Sequence, residues 1–350
     1  MSELLLVPTG NIIKDYLEEN NITQKELSIS IGMSEKHISN VLKGKSRVTE
    51  EFALKIEKVM PSIKADYWIN YESKFQLDLM RQKELYSLEN LNLKEISHQF
   101  HFSEIFKGLK LSLSEQAVEM LKILKISNFD LFENKYGNIC VDFMEDGGEK
   151  EAIAIWLNLC REEIEIQNND LNQVRYNKIF LINSIKNFKL LALNDTDSEK
   201  SLLSCRKLFN ELGVYFVVYE ANRNCKVRGA LTSYKNKPTI YISRRGKRHS
   251  YIWFAIFHEI GHLILHYDKN NKKDIKILLD NDISQKENEA NTYARNLLIP
   301  EKEYMDFIKN KKFDKMAIID FANKNCILPS FVVDFLKHDK QLDYDKFCYL

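Results

Sequence analysis

Apolar residues recur at helical spacing through most of the chain, while two short segments have the composition of strands. The pattern predicts helices throughout residues 1–70 and across most of residues 71–200. Residues 201–350 mix helices with strands, because 214–220 (VYFVVYE) and 238–243 (PTIYIS) are rich in β-branched and aromatic residues. The sequence therefore predicts a predominantly helical α+β fold.

The composition agrees with several folded domains. The chain has 350 residues, of which 44% are hydrophobic, so it is too long for one ordinary domain and can bury real cores. We expect three parts, at 1–70, 71–200 and 201–350. The formal charge is only +1, from 51 basic and 50 acidic residues. Any binding to nucleic acid must therefore depend on local charge.

The sequence carries no sign of membrane insertion or of a cysteine-rich zinc module. No apolar run reaches 18 residues, and the four apolar residues near the start are too few for the core of a signal peptide. The six cysteines form no CxxC pair, which excludes a zinc ribbon. We expect a soluble, cytoplasmic protein with free thiols.

The N-terminal part has the local signals of a helix-turn-helix. Thr23 and Glu26 form a capping box at the start of one helix, and Gly32 is placed to turn the chain after it. Ser34 caps a second short helix, which ends at Gly44. In such a motif the second helix enters the major groove of DNA. Its outward residues near the start are Glu35, Lys36, His37, Ser39 and Asn40.

Positive charge is concentrated on this segment. Residues 1–60 carry a net charge of −1, from eight basic and nine acidic groups, whereas 23–47 carry +3, from five basic and two acidic groups. Phosphate contacts need such a local excess. The alternative is a plain helical bundle without a DNA-binding role.

The run ITQKELSISIGMSEKHISNVLKGKSRVTEEFALKIEKVM, followed by ADYWIN at 65–70, resembles the XRE-type helix-turn-helix regulators, specifically the HigA-like antitoxin repressors. The resemblance implies a homodimer that binds operator DNA. It also implies base contacts by Lys36, His37 and Asn40, and backbone contacts by Lys43, Lys45 and Arg47.

The C-terminal part contains an HExxH motif, His258-Glu259-Ile260-Gly261-His262. Two histidines four residues apart lie on one face of a helix, about 6 Å apart along its axis, so both can bind one ion. The helix, which Ser250 can cap, is otherwise apolar on every side and should be buried. Buried imidazoles and a carboxylate need compensation, and a divalent metal supplies it. Gly261 suggests a close-packed neighbour or a constraint of the metal site.

A catalytic zinc needs a third protein ligand. His266 lies too far along the helix to share the ion and is predicted to be a cap or a surface residue. Downstream, 286–298 is predicted as a helix that follows an exposed charged connection. Its phase turns Glu287 inward, with Asn291 four residues on to hold it. Glu289 is the alternative ligand, and both glutamates can instead be solvated.

The set His258, His262 and Glu287 resembles that of the His₂Glu zinc hydrolases, which implies one Zn²⁺ per chain. In such a site Glu259 would take a proton from water and pass it to the leaving amine. We further expect the strand at 238–243 to be an edge strand that aligns an extended peptide by main-chain pairing.

The sequence HEIGHLILH, followed by ENEANTYARNLLIP, looks like the ImmA/IrrE metallopeptidase family. This resemblance implies a zincin-like α+β peptidase domain that cleaves repressor proteins. Together with segments such as AIAIWLNLCREEIEIQ and FANKNCILPSFVVDFLKHD, it covers nearly all of a fusion between a HigA-like reader and this peptidase.

Two functions follow from these patterns. The first is a DNA-binding transcriptional regulator with a zinc endopeptidase that cleaves a regulatory protein, either a repressor or a toxin. The second is an antitoxin-like repressor of a toxin–antitoxin module, whose C-terminal part binds a toxin or senses a signal without turnover.

Overall fold

The computed structural model describes residues 7–137, 148–169, 171, 174–267 and 283–347. The described chain forms two compact units. The first runs to Ile96 and includes Lys110–Val118, and the second comprises Ser97–Leu109 and the chain from Glu119 onward. The expected three-part division at 1–70, 71–200 and 201–350 stays a prediction.

Five helices build the helix-turn-helix region of the first unit. They are α1 (Thr9–Glu19), α2 (Gln24–Ile31), α3 (Glu35–Leu42), α4 (Glu50–Val59) and α5 (Ala65–Glu89). The predicted caps are confirmed. Thr23 accepts a hydrogen bond from the Glu26 N–H at 3.1 Å, and the Thr23 N–H donates to Glu26 Oε2 at 2.8 Å. Gly32 adopts φ +63°, and Ser34 accepts from the His37 N–H at 3.2 Å.

Helices α1 and α3 approach closely at Gly10. A β-carbon built on this glycine would lie 2.0 Å from the Val41 carbonyl oxygen, so no larger residue fits without moving backbone. Around this contact Ile13, Ile38 and Trp68 are fully buried. The missing side chain of Gly10 therefore sets the distance between the first helix and the recognition helix.

We predict that Gly10→Ala destabilises this region by about 3 kcal/mol, the upper range for overpacking. Lys14→Ala, an exposed position on the same helix, should change the unfolding free energy by less than about 0.5 kcal/mol. Denaturant unfolding of both variants measures the difference. Equal stability of the two variants would contradict the close approach of α1 and α3.

The chain between the helix-turn-helix region and the sheet is helical. It contains α6 (Leu93–Gln99), α7 (Phe102–Ile105), α8 (Leu113–Leu124), a 3₁₀ turn (Phe129–Leu131), α9 (Phe132–Tyr136), α10 (Lys150–Gln167), α11 (Lys178–Ala192) and α12 (Ser198–Glu211). After the sheet follow α13 (His249–Leu265), α14 (Ile283–Leu298), α15 (Glu301–Lys309), α16 (Lys315–Lys324) and α17 (Pro329–His338).

The described residues contain one sheet of three strands, β1 (Tyr215–Val218), β2 (Gly229–Tyr234) and β3 (Lys237–Ile242). β3 is central, parallel to β1 and antiparallel to β2. The two-residue turn between β2 and β3 has positive φ at both Lys235 and Asn236, which suits the twist of a hairpin. Sequence patterns indicated β1 and β3 but not β2.

Helices cover both faces of this sheet. Alternate residues of a strand point to opposite faces, so Phe216 and Ile240 join the core formed with α12 and α13. Their neighbours Val217 and Tyr241 pack on the other face against α10, around Trp156. The second unit thus has a layer of helices on each side of the sheet.

Helices α13 and α14 carry the candidate metal site and cross closely. A β-carbon on Gly261 would lie 3.2 Å from the Ala290 carbonyl oxygen, which confirms a close-packed neighbour there. The expected cap by Ser250 is wrong. Helix α13 begins at His249, and the Ser250 hydroxyl donates instead to Asp334 of α17 at 2.5 Å. The expected connection at 268–289 is partly helical, since α14 begins at Ile283; residues 268–282 lie outside the described residues.

The predominantly helical α+β class is confirmed. The described cysteines, Cys160, Cys205, Cys225 and Cys326, are free. Within the described ranges, no single helix is long and apolar enough to cross a membrane. The helices α16 and α17 pass such a test only as a pair, and they are bent by 111° relative to each other.

Candidate metal centre and recognition helix

Three buried side chains from α13 and α14 converge on one point. His258 and His262 lie one turn apart on α13, with their Nε2 atoms 2.9 Å apart. Glu287 of α14 places its carboxylate oxygens 3.2 Å from His258 Nε2 and 3.0 Å from His262 Nε2. The structure thus brings together the predicted set, although its role as a metal-binding set stays a prediction.

The donor atoms fit a small divalent ion. Ligand atoms 2.0–2.2 Å from a tetrahedral zinc lie about 3.3–3.6 Å apart, only slightly farther than these three atoms do. Two imidazole nitrogens and a carboxylate that face one another in a buried place need a shared cation or proton, because acceptors alone would repel. Burial raises the pKa of Glu287, but hydrogen bonds from His258 and His262 outweigh it and lower the pKa to about 2. Glu287 is therefore anionic at neutral pH.

A hydrogen bond behind His258 orients its ring. The His258 Nδ1–H donates to Asn291 Oδ1 at 2.9 Å. This bond places the ring proton on Nδ1 and leaves the Nε2 lone pair directed at the ion. Asn291 lies one turn after Glu287 on α14, so one helix supplies both the acid and the support for a histidine on the other helix, as the spacing predicted.

A second chain of hydrogen bonds supports His262, and sequence reasoning missed it. His262 Nδ1 lies 3.1 Å from His266 Nδ1, and His266 Nε2 lies 2.9 Å from Glu289 Oε2. The Glu289 carboxylate thus accepts from His266, and His266 accepts from His262, which leaves His262 Nε2 free of a proton and directed at the ion. Gln285 donates to the other Glu289 oxygen at 2.9 Å. These contacts lower the pKa of Glu289 and keep it charged.

His266 ends α13, as a cap was expected to do, but its side chain is only 10% exposed rather than on the surface. Glu289, the alternative ligand, pairs with His266 instead of joining His258 and His262. The spacing of four residues between His262 and His266 could have indicated this contact, since such residues face each other on a helix.

Glu259 is fully buried beside the start of β2. A β-carbon on Gly229 would lie 2.5 Å from Glu259 Oε1 and 3.0 Å from Glu259 Cδ. Only glycine at this position leaves space for the carboxylate. The predicted base is thus held between its own helix and a strand.

We predict that Gly229→Ala displaces Glu259 and reduces peptide-bond cleavage at least tenfold, while zinc binding is unchanged because the three donor atoms are untouched. Ser233→Ala on the same strand should change neither property. Cleavage kinetics and zinc stoichiometry of the two variants check this. A fully active Gly229→Ala protein would show that Glu259 tolerates the added carbon.

The strand expected to align a substrate was identified wrongly. The segment 238–243 belongs mainly to β3, which is central and has both sides paired. Within the part of the chain that the structure describes, β2 is the edge strand next to Glu259. The order of strands depends on tertiary contacts, so position just before the metal helix did not reveal it.

The predicted DNA-binding residues all lie on α3 or directly after it. Lys36 is exposed, while His37 and Asn40 are half-buried. The His37 ring packs edge-on against Phe52 of α4, with centroids 6.1 Å apart. Lys43, Lys45 and Arg47 are exposed in the segment after α3. The inner face of α3 is buried, so the predicted residues point away from the core or lie at its edge.

Comparisons with known families identify both regions. Residues 13–68 match the helix-turn-helix family model, and residues 217–315 match the model of the IrrE N-terminal-like domain. No curated protein and no solved structure gives a significant match. The second match contains β2, β3, α13 and α14, and therefore every residue of the candidate metal centre. The chain thus combines an XRE-type helix-turn-helix domain at 13–68 with an IrrE-like, metallopeptidase-type domain at 217–315.

Proposed function

We propose that the protein is a DNA-binding regulator with a zinc-dependent endopeptidase that cleaves a regulatory protein. The observation that supports this most directly is the buried convergence of His258, His262 and Glu287, with Glu259 beside them. The match to an IrrE-like domain supports the same class of chemistry.

The residues of the site divide the work of hydrolysis. His258, His262 and Glu287 would hold the ion, and Asn291 and His266 keep the two rings in the required tautomers. When bound, zinc polarises a carbonyl and acidifies water. Glu259 takes the proton of the attacking water and delivers it to the nitrogen of the leaving amine, so that one carboxylate serves as base and then as acid. Its burial excludes bulk water and strengthens this transfer.

The same proposal assigns operator DNA to α3. Lys36, His37 and Asn40 would contact bases, and the cations after the helix would contact phosphates. These cations are Lys43, Lys45 and Arg47. A homodimer would place two recognition helices about one helical turn of DNA apart.

The substrate can be sought without knowing it. Cells that express the wild type are compared with cells that express Glu259→Gln, and new protein N-termini are catalogued in both. We expect at least one new N-terminus, within a regulator or a toxin, in the wild type alone. Purified, zinc-loaded protein should then cut that substrate in the same place, and a chelator should abolish the cut.

An identical set of N-termini in the two strains, with zinc bound to the purified wild type, would contradict the peptidase proposal. The helix-turn-helix domain would then support the alternative, an antitoxin-like repressor whose metal site does not turn over. Toxin neutralisation and operator binding that both survive Glu259→Gln are the results expected of that alternative.

A further inference from the structure

A cavity of about 460 Å³ lies where the first half of α13 meets α14 and α17. Part of its wall is aromatic, with Phe254, Phe331 and Phe335 among the lining residues. Charged or amide side chains also line it, and these include Arg228, Asn291, Arg295, Asp334 and Lys337. Its volume lies in the range of pockets that take small ligands or side chains.

The cavity is continuous with the candidate metal centre along both helices. Asn291 lines the cavity and also accepts the hydrogen bond from His258 Nδ1 at 2.9 Å. Phe254 lies one turn before His258 on the same face of α13, about 6 Å along the axis. A group in the cavity is therefore within one residue's reach of a bond held at the metal.

Arg228 connects the cavity to the edge strand. It directly precedes Gly229, which lies against Glu259, and its carbonyl accepts from the Ser243 N–H at 2.9 Å, so it extends the pairing of β2 with the β3 side. An extended peptide that adds to β2 in the antiparallel sense runs from the Tyr234 end to the Gly229 end. The residue that follows the scissile bond then lies beside Arg228.

The cavity carries an excess of positive charge. Four cations stand in or beside it against two carboxylates; Arg228, Arg248, Arg295 and Lys337 face Asp334 and Asp339. Each carboxylate already has an arginine at ion-pair distance, 3.7 Å for Asp334 and 2.6 Å for Asp339. Lys337 is only 4% exposed, so its charge is poorly screened by water. An anionic guest is favoured over a neutral or cationic one.

We propose that this cavity receives the side chain of an acidic residue, Glu or Asp, that follows the scissile bond of the substrate. The inference rests on the peptidase function proposed above. The ligand is thus a peptide read by charge at a single position, with the aromatic wall packing against the methylene groups of that side chain.

Metal-binding probes test this without turnover. Mercaptoacetyl dipeptide amides with Glu, Gln or Lys after the acyl group anchor a thiolate on zinc and present the variable side chain where the residue after the scissile bond would lie. Calorimetry on the zinc-loaded, full-length protein gives the three affinities. We expect the Glu probe to bind about tenfold tighter than the Gln probe, and the Lys probe to bind weakest.

Two substitutions localise the effect. Arg228→Gln and Lys337→Gln should each reduce the Glu-to-Gln affinity ratio while the Gln probe binds as before. Lys302→Gln, an exposed position on α15, should leave the ratio unchanged. Unchanged affinity for the Gln probe shows that a variant is folded and holds its metal.

The outcomes separate the two proposals. A protein that holds zinc but binds all three probes equally, or prefers Lys, overturns the role of the cavity alone. A ratio that survives both Arg228→Gln and Lys337→Gln overturns it as well. A protein that binds neither zinc nor any thiol probe overturns the peptidase function, and the role of the cavity with it.

Discussion

Glu287→Gln should release the metal ion that the wild type holds at one per chain. The substitution keeps the size of the side chain but removes the only anionic donor that contacts both histidines, at 3.0 and 3.2 Å. Loss of a ligand should weaken zinc binding by more than the 10–100-fold that is typical of residues behind the ligands. Zinc titration with a competing chelator, on the full chain, measures the change.

Variants behind the ligands should form a graded series. His266→Ala removes the acceptor of the His262 Nδ1 proton, and Glu289→Gln removes the anion that orients His266. We expect each to weaken zinc binding roughly 10-fold to 100-fold, less than Glu287→Gln does. His266→Gln, whose amide oxygen can accept the same hydrogen bond, should restore part of the affinity.

Glu301→Gln provides a matched control, since Glu301 is an exposed glutamate at the start of the helix after α14. It should bind zinc like the wild type. If Glu287→Gln kept full affinity while Glu289→Gln lost the ion, the assignment of the acidic ligand would have to be exchanged between them.

Glu259→Gln should abolish cleavage while the metal stays in place. The amide cannot accept the proton of water, so we expect a loss of about 10²–10⁴-fold in the rate of the chemical step. None of the three converging donor atoms belongs to Glu259, so zinc stoichiometry should not change. Single-turnover cleavage and metal analysis of the same preparation measure both quantities.

Glu259→Asp is the informative companion to this variant. It keeps the acid but withdraws it by one methylene from the position fixed by Gly229, so it should be slow yet more active than Glu259→Gln. Equal and full activity of both variants would show that Glu259 carries no proton.

Signals within a few residues of one another were enough to predict much of this molecule. The capping box of Thr23 and Glu26, the left-handed Gly32 and the cap at Ser34 are local, and all three are confirmed. Helical phase indicated that Glu287 rather than Glu289 turns inward, because the amphipathic face of α14 sets the direction of both. The structure places Glu287 with the histidines accordingly.

Features that depend on distant contacts were not predictable in this way. The role of Gly229 arises only because β2 packs on α13, and nothing near Gly229 in the sequence indicates Glu259. β2 itself escaped notice since its residues GALTSY have few of the branched and aromatic side chains that mark strands. The contact from His266 to Glu289 joins two helices separated by a charged stretch.

The covering of the sheet by α10 has a practical consequence for anyone who wishes to handle the hydrolase half by itself. Trp156 and its neighbours shield Val217, Ala230 and Tyr241, yet they precede those strands by more than fifty positions. A fragment that began at residue 201 would present this greasy surface to solvent, and we expect it to clump in the test tube. Starting the fragment ahead of Lys150 would keep the shield in place.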